Sequence, residues 1–288
     1  MIVSIGEIVW DVFKNRAVLG GAPVNVAYHL HSLAIDVRVI TRVGTDELGT
    51  RTRSHVESLG LSAGGLQTDT NYATGVVNVT VDEHNEPHFD IVTPAAWDRI
   101  DTALALQTAG PGPFGLLFGT LAQRDPVSRA AIRALWKKAA RCYYDVNLRP
   151  PFTTRALVME SLAAADVVKM NGNELRQIIA WAGIEPKTGS KAVADKVREL
   201  RSLFNLEIVV VTDGDRGAWL DCREGFFEHP GFPAEVADTV GAGDAFFAAL
   251  IAGMLAKRPW PECLAEANRR GAYVASRPGA TPPMPGDA

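Results

Sequence analysis

The sequence predicts an α/β fold: a mostly parallel central sheet with helices on both faces. Three observations carry this. Short apolar runs alternate with helical stretches along most of the 288 residues, the order expected of repeated βα units. The apolar runs have little polar alternation, as in strands buried on both faces. One stretch instead alternates with period two and reads as an antiparallel hairpin inserted among the βα units.

Taken in order, residues 2–9 are the first strand candidate. No basic leader precedes them, so a strand is expected rather than a signal peptide, in a cytoplasmic protein. Residues 12–19 are expected to add a short strand. A helix is expected over 24–33, because Gly20-Gly21-Ala22-Pro23 frees the backbone and Pro23 suits a first helical turn. Strand 37–43 and helix 47–59 follow. Residues 74–82 then alternate as Thr-Gly-Val-Val-Asn-Val-Thr-Val-Asp. His84-Asn85-Glu86 is expected to turn the chain, and 88–92 to return it. With 12–19, this hairpin would form a small antiparallel lid over the strand ends, drawn from about 12–19 and 73–92. The alternative is an antiparallel edge on the main sheet. Further strands are expected at 114–118, 142–146, 167–170 and 208–212. Helices are expected at 126–140, 155–164, 172–181, 191–204, 241–256 and 261–275. No repeat or linker interrupts the chain, so residues 1–288 read as a single domain.

Bulk properties exclude several classes. Hydrophobic content of 47% with 22% charged residues can build a sizeable core. A net charge of -4 and a pI near 5.9 supply no excess of Lys and Arg for nucleic acid or an anionic membrane. Residues 245–255 are too short an apolar run to cross a bilayer. Cys142, Cys222 and Cys263 are odd in number and widely separated, which fits reduced thiols. His84 and His88 have ligand-like spacing, but the intervening Asn85, Glu86 and Pro87 read as a polar turn.

Two constellations carry chemistry. In Asp238-Thr239-Val240-Gly241-Ala242-Gly243-Asp244, a bare-backbone loop enters an apolar helix. Such a helix start presents backbone N–H groups and a positive dipole end to an anion. Asp244 adds a carboxylate able to accept a proton, and the two together suit phosphoryl transfer to a hydroxyl. The same residues are also compatible with a tight turn and a capping Asp. Near the N-terminus, Asp11 follows a strand and Gly20-Gly21-Ala22-Pro23-Val24-Asn25 opens a helix. Asn25 offers a donor and an acceptor, as sugar hydroxyls require, although a turn residue and a helix cap would look alike.

The two constellations resemble the two signatures of the ribokinase-like (PfkB) carbohydrate kinases. The resemblance continues through Asp145-Val146-Asn147-Leu148-Arg149, Lys169-Met170-Asn171-Gly172-Asn173-Glu174, Val211-Thr212-Asp213-Gly214-Asp215-Arg216-Gly217 and Gly279-Ala280-Thr281, in family order. Ala73-Thr74-Gly75-Val76-Val77, Ala95-Ala96-Trp97-Asp98 and residues 118–124 are most similar to bacterial fructokinase-like members.

The resemblance implies a ribokinase-like three-layer fold with a β lid, ATP as donor, and a sugar hydroxyl as acceptor, with fructose favoured. It implies Asp244 as base and Gly241, Ala242 and Gly243 as the anion hole. Asp11, Gly21 and Asn25 would hold the sugar, with Asn147 and Arg149 at the reaction centre. Thr212, Gly214 and Gly217 would line the nucleotide phosphates and ribose, and Asn268, Gly279 and Ala280 the adenine. Glu174 and Asn171 would position Mg²⁺ through water, although the same pair reads as a capped helix start. Relatives also bind a monovalent cation such as K⁺ by carbonyls near 238–240 and the late turn, and several dimerise through the lid.

Other readings are weaker. Gly44-Thr45-Asp46-Glu47-Leu48-Gly49 is followed by Thr50-Arg51, where a P-loop needs Lys-Ser/Thr. Gly241-Ala242-Gly243 lacks the third glycine of a dinucleotide fingerprint. No Gly-x-Ser-x-Gly elbow supports a hydrolase. A non-catalytic sugar or nucleotide sensor would not need Asp244. Within kinases, ribokinase, 2-keto-3-deoxygluconate kinase and nucleoside kinase are the alternatives. A nucleoside would call for stacking by Trp10, Phe89 or Trp97.

Overall fold

The computed structural model describes residues 1–14, 16–81, 87–184 and 192–285. The chain opens with β1 (Ile2–Ile5), β2 (Val9–Phe13), β3 (Arg16–Gly20), α1 (Ala22–His31), β4 (Val37–Gly44), α2 (Glu47–Ser58), β5 (Leu66–Asp69), β6 (Gly75–Val81) and β7 (Pro87–Ile91). It continues with α3 (Thr102–Ala109), β8 (Gly115–Gly119), α4 (Pro126–Trp136), β9 (Arg141–Asp145), α5 (Arg155–Ala164), β10 (Val167–Asn171) and α6 (Gly172–Ala182). It closes with α7 (Ala192–Leu203), β11 (Ile208–Thr212), β12 (Ala218–Cys222), β13 (Gly225–His229), α8 (Ala242–Leu255) and α9 (Trp260–Ala275).

Among the described residues, nine strands form the main sheet in the order β13-β12-β11-β10-β9-β8-β1-β4-β5. It is parallel from β11 to β5, and β12 and β13 add an antiparallel edge. The strand side chains divide between two cores, as period-two alternation requires. Leu116, Phe118, Tyr144, Val209 and Val211 pack with Ile132, Val158, Ile178 and Val197 of α4, α5, α6 and α7. Leu117, Tyr143, Ile208 and Val210 pack on the other face with Leu30 of α1, Phe247 of α8 and Leu264 of α9. The three-layer architecture expected from the uninterrupted apolar strands is therefore present. Several of its helix starts carry conventional caps: Asp46 accepts from Gly49 N, Asp101 from Leu104 N and Thr154 from Leu157 N.

Among the described residues, the strands expected as a lid form a separate four-stranded sheet, β3-β2-β6-β7, and not an edge of the main one. Its hairpins β2–β3 and β6–β7 are antiparallel, but β2 and β6 pair in parallel, so the sheet is mixed. The strand expected at 2–9 divides accordingly. β1 stays in the main sheet, the Gly6 N–H still bonds the Ile40 carbonyl, and β2 then joins the lid. Apolar residues on both sides of Gly6-Glu7 made 2–9 read as one strand and concealed that change of partners. The turn expected at His84-Asn85-Glu86 lies outside the described residues.

Candidate active site

Parallel strands deliver their last residues to one edge of the sheet. There β9 ends at Asp145, β10 at Asn171 and β11 at Thr212. Helices α1 and α8 start at the same place, linked by a hydrogen bond from Asn25 Nδ2 to Asp244 Oδ2 at 2.8 Å. The two sequence constellations, 219 positions apart, thus meet in one cluster.

α8 begins without a side-chain cap. Its N-cap, Gly241, is left-handed at φ 79°, and a Cβ there would lie 2.5 Å from the Ala280 Cα. Glycine is therefore required both by conformation and by the close approach of the Gly279-Ala280 turn. Asp238 fastens the two loops together: Oδ1 accepts from Val240 N at 3.0 Å and Oδ2 from Gly279 N at 3.1 Å. α1 holds the same turn from the other side, with His29 Nε2 2.9 Å from the Ala280 carbonyl and Tyr28 Oη donating to the Pro282 carbonyl at 2.8 Å. An uncapped helix start braced in this way is a fixed set of backbone donors for an anion.

Beneath it lies a charge that sequence reasoning assigned no role. A Cβ on Gly243 would lie 2.9 Å from Lys169 Nζ. That buried ammonium bonds both oxygens of Asp145, at 3.0 and 3.2 Å. Burial works against the charged lysine, but Asp145, Asp244 and Glu174 outweigh it and hold its pKa above the ordinary value. Asp244 is buried too, and burial together with the Asp145 charge raises its pKa to about 6, while Lys169, Asn25 and Arg149 pull the other way. A carboxylate poised there is ionised at neutral pH yet basic enough to take a proton.

Glu7, likewise unassigned from sequence, sits in the segment joining β1 to β2. It is buried, its Oε2 has no hydrogen-bond partner, and burial raises its pKa to about 7. The signal for both residues was a charge inside an apolar strand run, Lys169 within Val-Val-Lys-Met and Glu7 before Ile8-Val9. Glu7 gives a stability prediction. Its pKa is about 7 folded against 4.5 as the ordinary value. The folded state therefore holds the proton longer, and this stabilisation is present below about pH 4.5 and lost as pH rises through 7. Glu7→Gln stays neutral throughout. Its stability relative to wild type should rise between pH 5 and pH 8, by on the order of 2 kcal/mol, in denaturant melts at each pH.

Asp11 lies in β2 above the glycine pair, where a Cβ on Gly20 would be 3.1 Å from its Oδ2. Burial raises the Asp11 pKa, opposed by Arg149. Gly21 has φ 120°, and a Cβ there would come within 2.6 Å of the Glu7 carbonyl oxygen. Asn147, left-handed at φ 42°, follows Asp145. Arg149 is exposed, donates Nη1 to the Leu148 carbonyl at 3.0 Å, and lies in the field of Glu7, Asp11 and Asp244.

The Asn171–Glu174 pair forms a complete capping box. Asn171 Oδ1 accepts from Asn173 N and Glu174 N, each at 2.9 Å. Glu174 Oε2 accepts from Asn171 N at 2.7 Å, and its Oε1 from Leu148 N at 2.9 Å. Glu174 thus holds the 147–149 loop to the start of α6. Each oxygen keeps a second lone pair, which suits contact to Mg²⁺ through water rather than direct ligation. Among the described residues, no group of three or more His, Cys, Asp or Glu is arranged to hold a metal.

Of the residues expected to line the nucleotide, Thr212 ends β11, and Gly214 and Gly217 are left-handed at φ 60° and 84°. Gly217 packs against the β13 exit, where a Cβ would fall 1.9 Å from the His229 carbonyl oxygen. Asp213 is engaged by Arg216 Nε at 2.7 Å. Asn268 is buried in α9 and donates Nδ2 to the Leu264 carbonyl at 2.8 Å. Trp10 and Trp97, considered for stacking a base, are both buried. Trp97 underlies Gly75, and Trp10 donates to Thr52 Oγ1 at 2.9 Å. The Phe89 side chain lies outside the described residues.

Residues 3–287 match the pfkB family carbohydrate kinase description. The chain is 30% identical to the fructokinase of Klebsiella pneumoniae over 82% of its length and 77% of that protein. It is 28% identical to the ATP-dependent ribose-1-phosphate kinase of Halopiger xanaduensis, covering all of this chain and 96% of that one. The crystal structure of an uncharacterized sugar kinase from Pyrococcus horikoshii in complex with ATP aligns with a TM-score of 0.83, at 25% identity, over 98% of this chain and 94% of that one.

Proposed function

Since this chain belongs to the pfkB family of carbohydrate kinases, we propose that it transfers the γ-phosphate of ATP to a hydroxyl of a neutral sugar, with fructose as acceptor. One observation carries the reading: a buried carboxylate, Asp244, bonded to Asn25 in the first turn of an uncapped helix. Asp244 accepts the hydroxyl proton as the oxygen attacks. The N–H groups at Gly241, Ala242, Gly243 and Asp244 take up charge developing on the transferred group. Asp11, Gly21 and Asn25 orient the sugar, and Asn147 and Arg149 stand at the reaction centre. Thr212, Gly214, Gly217, Asn268 and the Gly279-Ala280 turn hold the nucleotide. Mg²⁺, reached through water from Glu174 and Asn171, would offset phosphate charge. Carbonyls near 238–240 and the late turn, which Asp238 ties together, would hold a monovalent cation such as K⁺.

Charge favours a neutral acceptor. Lys169 already neutralises Asp145. That leaves Asp11 and Asp244 on the acceptor side, with Glu7 about half protonated at neutral pH and Arg149 as their cationic neighbour. A sugar phosphate adds negative charge to an acidic pocket, and a sugar acid does the same to a lesser degree. Burial of Trp10 and Trp97 leaves neither ring face open for a nucleoside base.

The test is coupled ADP release with MgATP and K⁺ across fructose, ribose, tagatose, 2-keto-3-deoxygluconate and adenosine. Turnover on fructose is expected, and turnover confined to another acceptor would overturn the substrate assignment. Asn25→Ala removes one hydrogen bond that favours ionised Asp244. It should lower kcat/KM for fructose by ~10-fold and move the acid limb of its pH profile upward.

A further inference from the structure

The opposite edge of the main sheet carries a second cavity. Its volume is about 480 Å³, within the usual range for small-molecule sites. It opens where β9 and β11 begin, at Arg141 and Ile208, whereas the catalytic cluster sits where those strands end, at Asp145 and Thr212. Each strand is five residues long, so a strand length, roughly 13 Å, separates the two sites.

The lining is cationic in a chain whose net charge is -4. Arg223 lies in the β12–β13 turn, and Lys257 and Arg258 in the α8–α9 connection. No carboxylate among the described residues pairs with these three within 4.0 Å. Arg141 is paired with Glu207 at 2.8 Å. The other acidic group, Glu224, is engaged by Trp260 Nε1 and by Cys222 Sγ. Trp260 and Met254 supply an apolar wall. Three cations without a carboxylate partner among the described residues, around an apolar-walled cavity, match a small molecule with a multiply charged phosphate group and a less polar body.

We infer that this cavity is a second binding site, distinct from the catalytic one, for a phosphate-bearing small metabolite. Arg223, Lys257 and Arg258 grip the phosphate, and Trp260 packs against the remainder. α8 runs between the two sites, with Asp244 in its first turn and Met254 and Lys257 at its far end.

Trp260 provides the reporter. The intact chain is titrated with pyrophosphate while tryptophan fluorescence and calorimetric heat are followed. Saturable binding is expected, weakened ~10-fold or more in Arg223→Glu/Lys257→Glu and retained in Gly243→Val, which obstructs the catalytic cradle. Both reversed residues are exposed, so basal sugar kinase turnover should be unchanged. AMP and glucose 6-phosphate then distinguish a nucleotide from a sugar phosphate as the source of the group. Equal pyrophosphate binding by wild type and the charge-reversed variant overturns the proposal. So does loss of all binding in Gly243→Val, or an absence of saturable binding in wild type.

Discussion

Asp244→Asn is expected to lower turnover by ~10²–10⁴-fold. The carboxamide is nearly isosteric and can still pair with Asn25, so KM for the sugar should change only a few-fold. A loss in kcat with ligand binding intact is the signature of a group acting in the transition state. The wild-type kcat/KM should also fall with unit slope below about pH 6, because Asp244 titrates near that value and works only when ionised. The variant's residual activity should lack that limb. Measuring kcat, KM and the pH profile on one preparation checks all three expectations.

Lys169→Met is expected to damage both stability and activity. It leaves Asp145 as a buried charge without its partner, a change that typically costs ~3–5 kcal/mol. It also removes the cation that lowers the Asp244 pKa, while Asp145, which raises it, remains. The acid limb of kcat/KM should therefore move to higher pH. Asp145→Asn/Lys169→Met should regain most of the stability, since a neutral pair leaves no orphaned charge. It should not regain full activity, because the cation beneath Gly243 is still missing. Denaturant melts of the single and double variants, with their pH–rate profiles, separate the structural contribution from the electrostatic one.

The sequence disclosed the fold's parallel core because β8 to β11 are buried on both faces and read as unbroken apolar runs. It disclosed less where the same apolar character serves two sheets. In residues 2–9 only Gly6-Glu7 marks where the chain leaves β1 for the second sheet, and nothing there shows that β2 and β6 pair in parallel. β5 and β13 are the edge strands of the main sheet and β12 lies between β13 and β11; β13 is only partly buried, so the apolar pattern is weaker there. α3 was missed because Thr102–Ala109 is a short segment with little polar punctuation.

The candidate site was legible where chemistry demands bare backbone, at Gly21, Gly241 and Gly243. It was less so where function rests on pairing across strands. Lys169 and Asp145 belong to neighbouring strands, and nothing local to either residue signals that they meet. Glu174 could be read as cap or metal contact from sequence, and its hydrogen bonds explain why. The same carboxylate completes the α6 capping box and holds the 147–149 loop.

We propose that this acidic acceptor pocket selects a neutral sugar. It is tested most directly by kcat/KM for fructose and for ribose 1-phosphate under the same MgATP conditions, since relatives of the chain are named for each. A preference for fructose of at least ~100-fold is expected, because like charges brought together cost several kcal/mol. Equal values, or a preference for ribose 1-phosphate, would contradict it.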